Sequence, residues 1–490
     1  MKRVLIIIAL FLMAALVCAS GHDILTITHY SKNLDREKTF KVFFPPNAKP
    51  DDEFPVLFVL HGAWGSCEDW VERTDVEDLA ENYRMILVFP DGSPFGWYVD
   101  SPIEENMQYE TYVSQELVKL VDQMFPTVGT RNARGIMGLS MGGHGAFLLS
   151  AKHPDVFGSA SSLSGIMKIT NHPGKWHIAG RLGTLEDHPE AWKENSVWDQ
   201  AELFVDADVD LLFDCGEDDT KTGAIGDARQ LHDRLKELEV PHIWREMPGT
   251  HSWDYWNEHL EEHLNFHQAA MLEQTPGMGK WRGLYFERLG KFYEENASLP
   301  LNPPEKTTIS LLGSSSMHGF PRELLSEYHV FNRGISADTL GIGTRDISHR
   351  LESSVFDMDP DYIFIKNGRN DLGNRHRNGE PSIQRMMEEY EDIVTKIRER
   401  HPEGRIYIVT CAPVRGRYAH LAMPTYSYNM ELKTLAQKHE IPVIDLFSEL
   451  EGEEHLLKEK YSHDGLHISP AGYEKMADLM IKAIEEPDSE

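Results

Sequence analysis

Short apolar runs alternate with amphipathic stretches from about residue 23 to residue 274. Stretches 110–125 and 227–239 repeat apolar residues every three or four positions, which predicts helices between β-type runs. Alternation of this kind is typical of a mostly parallel sheet covered by helices, so an α/β fold is predicted. The predicted strands are FPVLFVLHG, RMILVFPDG, ARGIMGLS, FGSASSLSG, VDLLFDCG and PHIWREMPG.

The α/β alternation resumes in the second half with different sequences. A helix at 280–297 precedes its first strand, and the helix SPAGYEKMADLMIKAIEE follows its last one. Pro and Gly in QTPGMGKW mark the candidate junction, and LPLNPPEKT is a second break. Two domains are predicted, 21–275 and 276–490. The strands of the second are TTISLLG, YHVFNRG, DYIFIKNG, GRIYIVTCAP and IPVIDLF.

Residues 1–20 have the pattern of a targeting segment. Lys2 and Arg3 precede the apolar run 4–17, which is too short to span a bilayer comfortably. The segment predicts a signal peptide and a secreted or periplasmic protein without a membrane span. Lipid anchoring through Cys18 is an alternative, although Val17 stands where such signals usually carry a small residue.

Composition narrows the function classes further. The formal net charge of −31 over 490 residues argues against nucleic acid as a partner, because phosphate binding needs clustered Lys and Arg. After the targeting segment only Cys67, Cys215 and Cys411 remain, too few for a disulfide framework. A Cys67–Cys215 bridge is possible, but buried free thiols are favoured.

One histidine cluster, HLEEHLNFH, carries His259, His263 and His267 at intervals of four along a predicted helix. Two neighbouring rings on one face could share a metal. Without an accompanying ligand pattern, a polar helix face is the favoured interpretation. Neither a metal nor a cofactor is therefore expected.

The stretch GLSMGG places Ser140 between a predicted strand and a predicted helix, the context of a nucleophile elbow. A general base and an acid should follow in the order Ser, Asp, His. His251, in MPGTHSWDYW, is the expected base. Asp219 is the expected acid, and Asp218 and Asp214 are alternatives in a neighbouring register.

An oxyanion hole in this fold would use two backbone N–H groups. Met141 follows the serine and would donate one. The loop HGAWGSCEDW would donate the other from Ala63 or Trp64, between which the sequence does not choose.

These motifs make the first domain resemble the esterase D group of α/β-hydrolases, which contains the feruloyl and acetylxylan esterases of carbohydrate esterase family 1. The matching stretches span nearly the whole domain in the family's order. The resemblance implies carboxylic ester hydrolysis, although the group also includes S-formylglutathione hydrolases and lipid esterases. The stretches are VLHGAWGSCEDW, VFPDGSPFGWYVDSP, GLSMGGHGA, DCGEDD and GTHSWDYW.

Aromatic residues cluster in the loops that follow the predicted strands. Trp64, Trp97 and Trp253 are the candidate substrate-binding residues, because such rings can stack on a sugar or a feruloyl ring. Ordinary core packing is the alternative for each of them.

A second serine motif, GSSS at 313–316, follows the first strand of the second domain. Later strand ends add VFNRGIS, IKNGRNDLG and YSHDGLHISPAGY, and the four elements in this order resemble the SGNH, or GDSL-like, hydrolases. The resemblance implies a flavodoxin-like three-layer α/β/α domain. It makes Ser315 the nucleophile and Asp464 and His467 the acid and base, and it gives Gly334, Asn370 and the Ser315 N–H as the oxyanion hole.

The second motif departs from the family in one place, since Ser314 stands where Asp is usual. A degenerate second domain is therefore an alternative. The favoured interpretation is an exported esterase with two active domains, acting on acylated plant polysaccharide such as feruloylated or acetylated xylan. The rivals are a lipid or thioester carboxylesterase, and one active domain joined to a glycan-binding module.

Overall fold

The computed structural model describes residues 24–46, 48–275, 279–299, 306–340, 345–379 and 381–486. The predicted signal peptide, Cys18 and parts of both predicted breaks lie outside these ranges. The chain divides into two compact units, Met1–Met278 and Gly279–Glu490. Within the described ranges, no helix combines the length and the hydropathy needed to cross a bilayer.

The first unit is built on an eight-stranded sheet in the order β1-β2-β4-β3-β5-β6-β7-β8. β2 pairs antiparallel with both β1 and β4, and the remaining neighbours pair in parallel. The antiparallel β1–β2 ribbon is not among the strands predicted from the sequence. The strands are β1 Ile24–Ser31, β2 Arg36–Phe43, β3 Val56–Leu60, β4 Ile86–Pro90, β5 Arg134–Leu139, β6 Ser159–Leu163, β7 Asp210–Gly216 and β8 Ile243–Met247.

Helices cover the parallel part of this sheet, which explains why β3 to β6 are buried along their whole length. The helix α4 is also buried at every position except Lys152. The helices are α1 Asp69–Arg73, α2 Val76–Ala80, α3 109–124 with a π-helical middle, α4 Met141–Lys152, α5 Ala179–Leu182, α6 Pro189–Glu194, α7 Ala224–Glu237 and α8 Trp253–Ala270.

The second unit has a five-stranded, fully parallel sheet in the order β10-β9-β11-β12-β13. The α/β architecture predicted for both halves is confirmed. The strands are β9 Thr308–Gly313, β10 His329–Gly334, β11 Tyr362–Lys366, β12 Arg405–Val409 and β13 Val443–Ile444. The helices are α9 Lys280–Ala297, α10 Ser315–His318, α11 Leu351–Ser354, α12 Arg369–Asn378, α13 Ile383–Arg400, α14 Ala422–Lys438, α15 Leu446–Leu450 and α16 Pro470–Glu485.

The helix α9 is fixed to the second sheet by buried polar contacts. Asn296 Oδ1 accepts a 2.7 Å hydrogen bond from Arg333 on β10, and its Nδ2 donates to the carbonyl of Ser353 at 2.9 Å. Arg333 is fully buried and also pairs with Glu295. A buried guanidinium needs such partners, so α9 is an integral part of this unit.

We expect Asn296→Ala to destabilise the second unit by about 1–3 kcal/mol, because it leaves buried groups on Arg333 and Ser353 without a partner. Urea unfolding of the full chain measures the change. Glu294→Ala, on the exposed face of the same helix, is the matched control. Equal unfolding midpoints for the two variants would contradict the structural role of Asn296.

Candidate active sites

Ser140 lies at a sharp turn between β5 and α4, with a φ of 53° that an L-residue adopts only under strain. The flanking glycines make the turn possible. A Cβ on Gly138 would lie 2.5 Å from the backbone of Gly142, and one on Gly142 would lie 2.3 Å from the carbonyl oxygen of Leu60. The serine therefore stands at the start of α4, as the nucleophile-elbow motif predicts.

His251 joins Ser140 to Asp219. Its Nε2 lies 2.9 Å from Ser140 Oγ, and its Nδ1 lies 2.5 Å from Asp219 Oδ2. The ionised carboxylate can only accept, so Nδ1 carries the ring proton and Nε2 is left to accept from the serine. Asp219 is buried, and its other oxygen accepts a hydrogen bond from Thr222. The three side chains form the hydrogen-bonded chain that serine hydrolysis requires.

The two alternative acids lie elsewhere. Asp214 is buried inside β7, where it accepts hydrogen bonds from Tyr255 at 2.8 Å and from His263 at 2.7 Å. Asp218 is exposed beside Asp219. Of the three candidate acids, Asp219 is the one hydrogen-bonded to His251.

The backbone N–H groups of Ala63 and Met141, the two predicted donors, have no acceptor among the described residues. Met141 is the first residue of α4, where an N–H has no intrahelical partner. The N–H of Trp64 donates instead to the carbonyl of Pro94 at 2.8 Å. Of the two loop residues left open by the sequence, Ala63 has the available donor.

His61 organises the loop that carries Ala63. The N–H of Gly92 donates to its Nε2 at 2.8 Å, so Nδ1 holds the ring proton and donates to the carbonyl of Gly62. Burial lowers the pKa of His61, which favours this neutral ring. His61 is not among the predicted site residues, because its supporting role depends on a contact with the distant residue Gly92.

In the second unit, Ser315, Asn370 and His467 line one cavity of about 450 Å³. His467 Nδ1 lies 2.7 Å from Asp464 Oδ2, and the N–H groups of Leu466 and His467 both donate to Asp464 Oδ1. Burial acts to raise the pKa of Asp464, but these hydrogen bonds outweigh it and hold the pKa well below its ordinary value. Within the described residues, no hydrogen bond joins His467 to Ser315.

The structure separates the three serines of the GSSS motif. Ser314 is buried, and its N–H donates to the carbonyl of Lys366 at 3.3 Å. Ser316 Oγ accepts a 3.1 Å hydrogen bond from Lys366 Nζ. Ser315 lines the cavity and begins α10. Nothing in these contacts explains why Ser314 replaces the aspartate that is usual there.

The predicted oxyanion residue Gly334 is placed differently from expectation. Its N–H donates to Asn332 Oδ1 at 3.1 Å, and a Cβ there would lie 2.0 Å from the N atom of His318. Gly334 therefore permits close packing of α10 and has no free N–H for a substrate. Ala337 lines the cavity instead, with a φ of 68°, and its N–H has no acceptor among the described residues.

Asn370, the other predicted donor, does line the cavity. One hydrogen of its Nδ2 is donated to the carbonyl of Asp338 at 2.8 Å, which fixes the amide and leaves its second hydrogen available.

Both units of the chain match known protein families. Residues 31–267 match the family model described as "Putative esterase", and residues 308–475 match the GDSL-like Lipase/Acylhydrolase family. The chain therefore joins an esterase domain to a GDSL-like acylhydrolase domain. The predicted family resemblances and the predicted fold class are confirmed, and the two matches support carboxylic ester hydrolysis.

Individual relatives cover one domain each. An S-formylglutathione hydrolase of Arabidopsis thaliana is 27% identical over 263 residues, which are 50% of this chain and 92% of the relative. A solved ferulic acid esterase is 27% identical over 50% of this chain and 98% of its own, with a TM-score of 0.43. A GDSL-like lipase of Bacteroides thetaiotaomicron covers 41% of this chain and 98% of its own, at 19% identity and a TM-score of 0.36.

The three candidate substrate-binding tryptophans have different environments. Trp97 is 1% exposed and packs edge-on against His144, so the prediction that it binds substrate is wrong. Trp64 is 68% exposed and makes an edge contact with Phe95. Trp253 is half-buried and packs against Trp70 and Trp256.

The histidines of α8 do not form the predicted polar face. His263 and His267 are fully buried, and Ser161 Oγ lies between them, 2.8 Å from His263 Nδ1 and 2.9 Å from His267 Nε2. No group of three potential metal-ligating side chains occurs in the described part of the chain. Cys67, Cys215 and Cys411 are free and buried.

Asp371, on α12 beside Asn370, is an ionisable group that is buried and has no ion pair with any described residue. Its Oδ1 accepts a 2.9 Å hydrogen bond from the N–H of Leu340, and its Oδ2 has no partner among the described residues. Burial raises the pKa of Asp371 to about 7. The folded GDSL-like domain therefore favours the protonated carboxyl.

We expect Asp371 to lower the stability of this domain as the pH rises. Its folded-state pKa lies above its unfolded value, so its contribution is fully present below about pH 4 and is lost as the pH passes 7. Asp371→Asn should reduce the fall in unfolding free energy between pH 5 and pH 8 by about 2 kcal/mol. Urea unfolding at the two pH values measures this, with Asp478→Asn on an exposed face as control. An unchanged pH dependence would refute the assignment.

Proposed function

We propose that the protein is an exported serine carboxylic ester hydrolase that removes acyl groups from plant polysaccharide such as xylan. One acyl-enzyme site would operate in each domain. The observation that carries the proposal is the hydrogen-bonded chain from Ser140 through His251 to Asp219 beside two free N–H donors. The signal-peptide pattern of residues 1–20 supports export.

In the esterase domain, Ser140 Oγ attacks the ester carbonyl while His251 Nε2 takes the hydroxyl proton. Asp219 holds the ring and stabilises the imidazolium that forms. The N–H groups of Ala63 and Met141 donate to the developing oxyanion, and His251 returns the proton to the departing alcohol. Water then hydrolyses the acyl-enzyme by the same steps, with His251 again as base.

In the GDSL-like domain, Ser315 is the nucleophile and His467 the base, held by Asp464. The oxyanion donors are the N–H of Ser315, the free hydrogen of Asn370 Nδ2 and the N–H of Ala337, which takes the role first expected of Gly334. The hydrogen bond from Ser315 to His467 would form when substrate occupies the cavity.

The surface next to the first site supports an aromatic acyl group such as feruloyl. Trp64 follows Ala63 directly, is exposed, and makes an edge contact with Phe95 at a centroid distance of 5.3 Å. Phe95 in turn lies 4.5 Å from the exposed ring of His177. Such a row of rings can stack on a planar acyl group. The second domain would then remove acetyl groups from the same polymer.

Thioester hydrolysis is the second candidate for the esterase domain. The curated relative from Arabidopsis thaliana is an S-formylglutathione hydrolase that this chain covers over 92% of its length. The same serine, histidine and donors would serve a thioester carbonyl, so the acyl carrier would distinguish the two functions.

Single variants Ser140→Ala and Ser315→Ala test the proposal, assayed for ferulate and acetate release from acylated xylo-oligosaccharides. Each should lose one activity by at least about 1000-fold in kcat and keep the other, because removing a nucleophile removes the acyl-enzyme route. Parallel assays with S-formylglutathione and a short triglyceride compare the rival substrates.

Ser316→Ala is the matched control for Ser315→Ala, since it removes a neighbouring hydroxyl that contacts Lys366. It should retain both activities. If Ser315→Ala keeps full activity on every ester, the second active site does not exist. Faster turnover of S-formylglutathione than of any acylated oligosaccharide would favour the thioester function.

A further inference from the structure

The cavity of the GDSL-like domain is cationic although the protein is strongly acidic. The chain carries a formal charge of −31, but the described residues lining this cavity include Arg345 and Arg369 and no Asp or Glu. The carboxylate behind His467, that of Asp464, is already engaged by the His467 ring and two N–H groups. An anion that enters this cavity would therefore meet two arginines and no carboxylate among the described lining residues.

Neither arginine forms an ion pair with any residue that the structure describes. Arg369 donates through Nη2 to the carbonyl of Ala412, while its Nε and Nη1 are buried and have no acceptor among the described residues. Burial lowers the pKa of Arg369, although Cys411 acts to raise it, which reflects the cost of holding this charge away from water. A bound anion would relieve that cost.

Hydrogen bonds or a helix fix the backbone of both arginines, and both lie near the candidate oxyanion donors Asn370 and Ala337. The carbonyl of Arg345 accepts hydrogen bonds from the N–H and the hydroxyl of Thr339, at 2.9 and 3.2 Å. Arg369 begins α12 directly before Asn370. Arg345 and Arg369 therefore line the same cavity as Asn370 and Ala337.

Trp281 adds an apolar surface to the same cavity. Its side chain is 51% exposed, and it lies on the first turn of α9. That helix is held by Arg288, which donates to the carbonyls of Asn332 and Gly334, and by the Glu295–Arg333 pair. An exposed indole on a fixed helix is the kind of platform on which a sugar ring stacks.

We propose that this site takes acyl esters carried by an acidic saccharide, one whose sugars bear a carboxylate, such as a uronic acid. Arg345 and Arg369 bind the carboxylate, because a guanidinium matches a carboxylate with paired hydrogen bonds, and Trp281 stacks on a sugar ring. The inference rests on the proposed esterase function of Ser315 and specifies its substrate class. Binding of the carboxylate adds no step to the esterase reaction of Ser315.

The test uses the full chain with Ser140→Ala, so that the first site is silent. The two substrates are an acetylated xylo-oligosaccharide with a glucuronic acid branch and the same compound with the carboxyl reduced to an alcohol. The acidic substrate should have a kcat/KM at least tenfold higher. Arg345→Gln should lower that value roughly 10- to 100-fold, as expected for losing a hydrogen bond to a charged group, and change the neutral substrate less than about twofold.

Arg398→Gln, on the exposed face of α13, removes the same charge elsewhere and is the matched control. It should leave both substrates unchanged. Equal kcat/KM for the two substrates, or an equal loss on both in Arg345→Gln, would overturn the inference while leaving the esterase function intact.

Absence of hydrolysis of both substrates would instead remove the proposed function of Ser315. The specificity is then measured by binding, using the Ser140→Ala/Ser315→Ala chain and the two deacetylated oligosaccharides in calorimetric titrations. Tighter binding of the acidic compound, lost in Arg345→Gln and kept in Arg398→Gln, would support the inference. Equal affinities would overturn it.

Discussion

Both candidate sites depend on the close approach of a helix start to the ends of neighbouring strands. At the first site, Gly138 and Gly142 leave no space for a Cβ, so β5 can turn into α4 with Ser140 at a φ of 53°. At the second, a Cβ on Gly313 would lie 2.1 Å from the carbonyl oxygen of Lys366, and Gly334 packs against the backbone of α10. Each nucleophile is thereby placed at a helix start, where N–H groups lack intrahelical acceptors.

Two aspartates near the end of β7 have different roles. Asp214, within β7, accepts hydrogen bonds from Tyr255 and His263 in the interior, whereas Asp219, beyond the end of β7, is hydrogen-bonded to His251. A buried carboxylate must be paired, and His263 provides that partner from α8. Asp214 is therefore engaged by Tyr255 and His263 in the interior, and Asp219 remains available to bond His251 at the site.

The parts that could be predicted from sequence are those with local signals. Glycine-serine turns after apolar runs located Ser140 and Ser315, and the Asp464–His467 spacing located a pair that meets within one loop. The predictions that failed depend on side-chain contacts that residue spacing does not reveal. The N–H of Gly334 is taken by the side chain of Asn332, two residues earlier, and the face of His263 and His267 is set by serines on β6.

The two sites differ in how far solvent reaches their acid and base. At the first, the side chains of His251 and Asp219 are 21% and 1% exposed, and the serine is already bonded to the ring. At the second, those of His467 and Asp464 are 58% and 39% exposed. Water screens such a pair, so its electrostatic effect on Ser315 is weak until a ligand excludes solvent. A substrate that fills the cavity and pairs with its cations would therefore also strengthen the second acid–base pair.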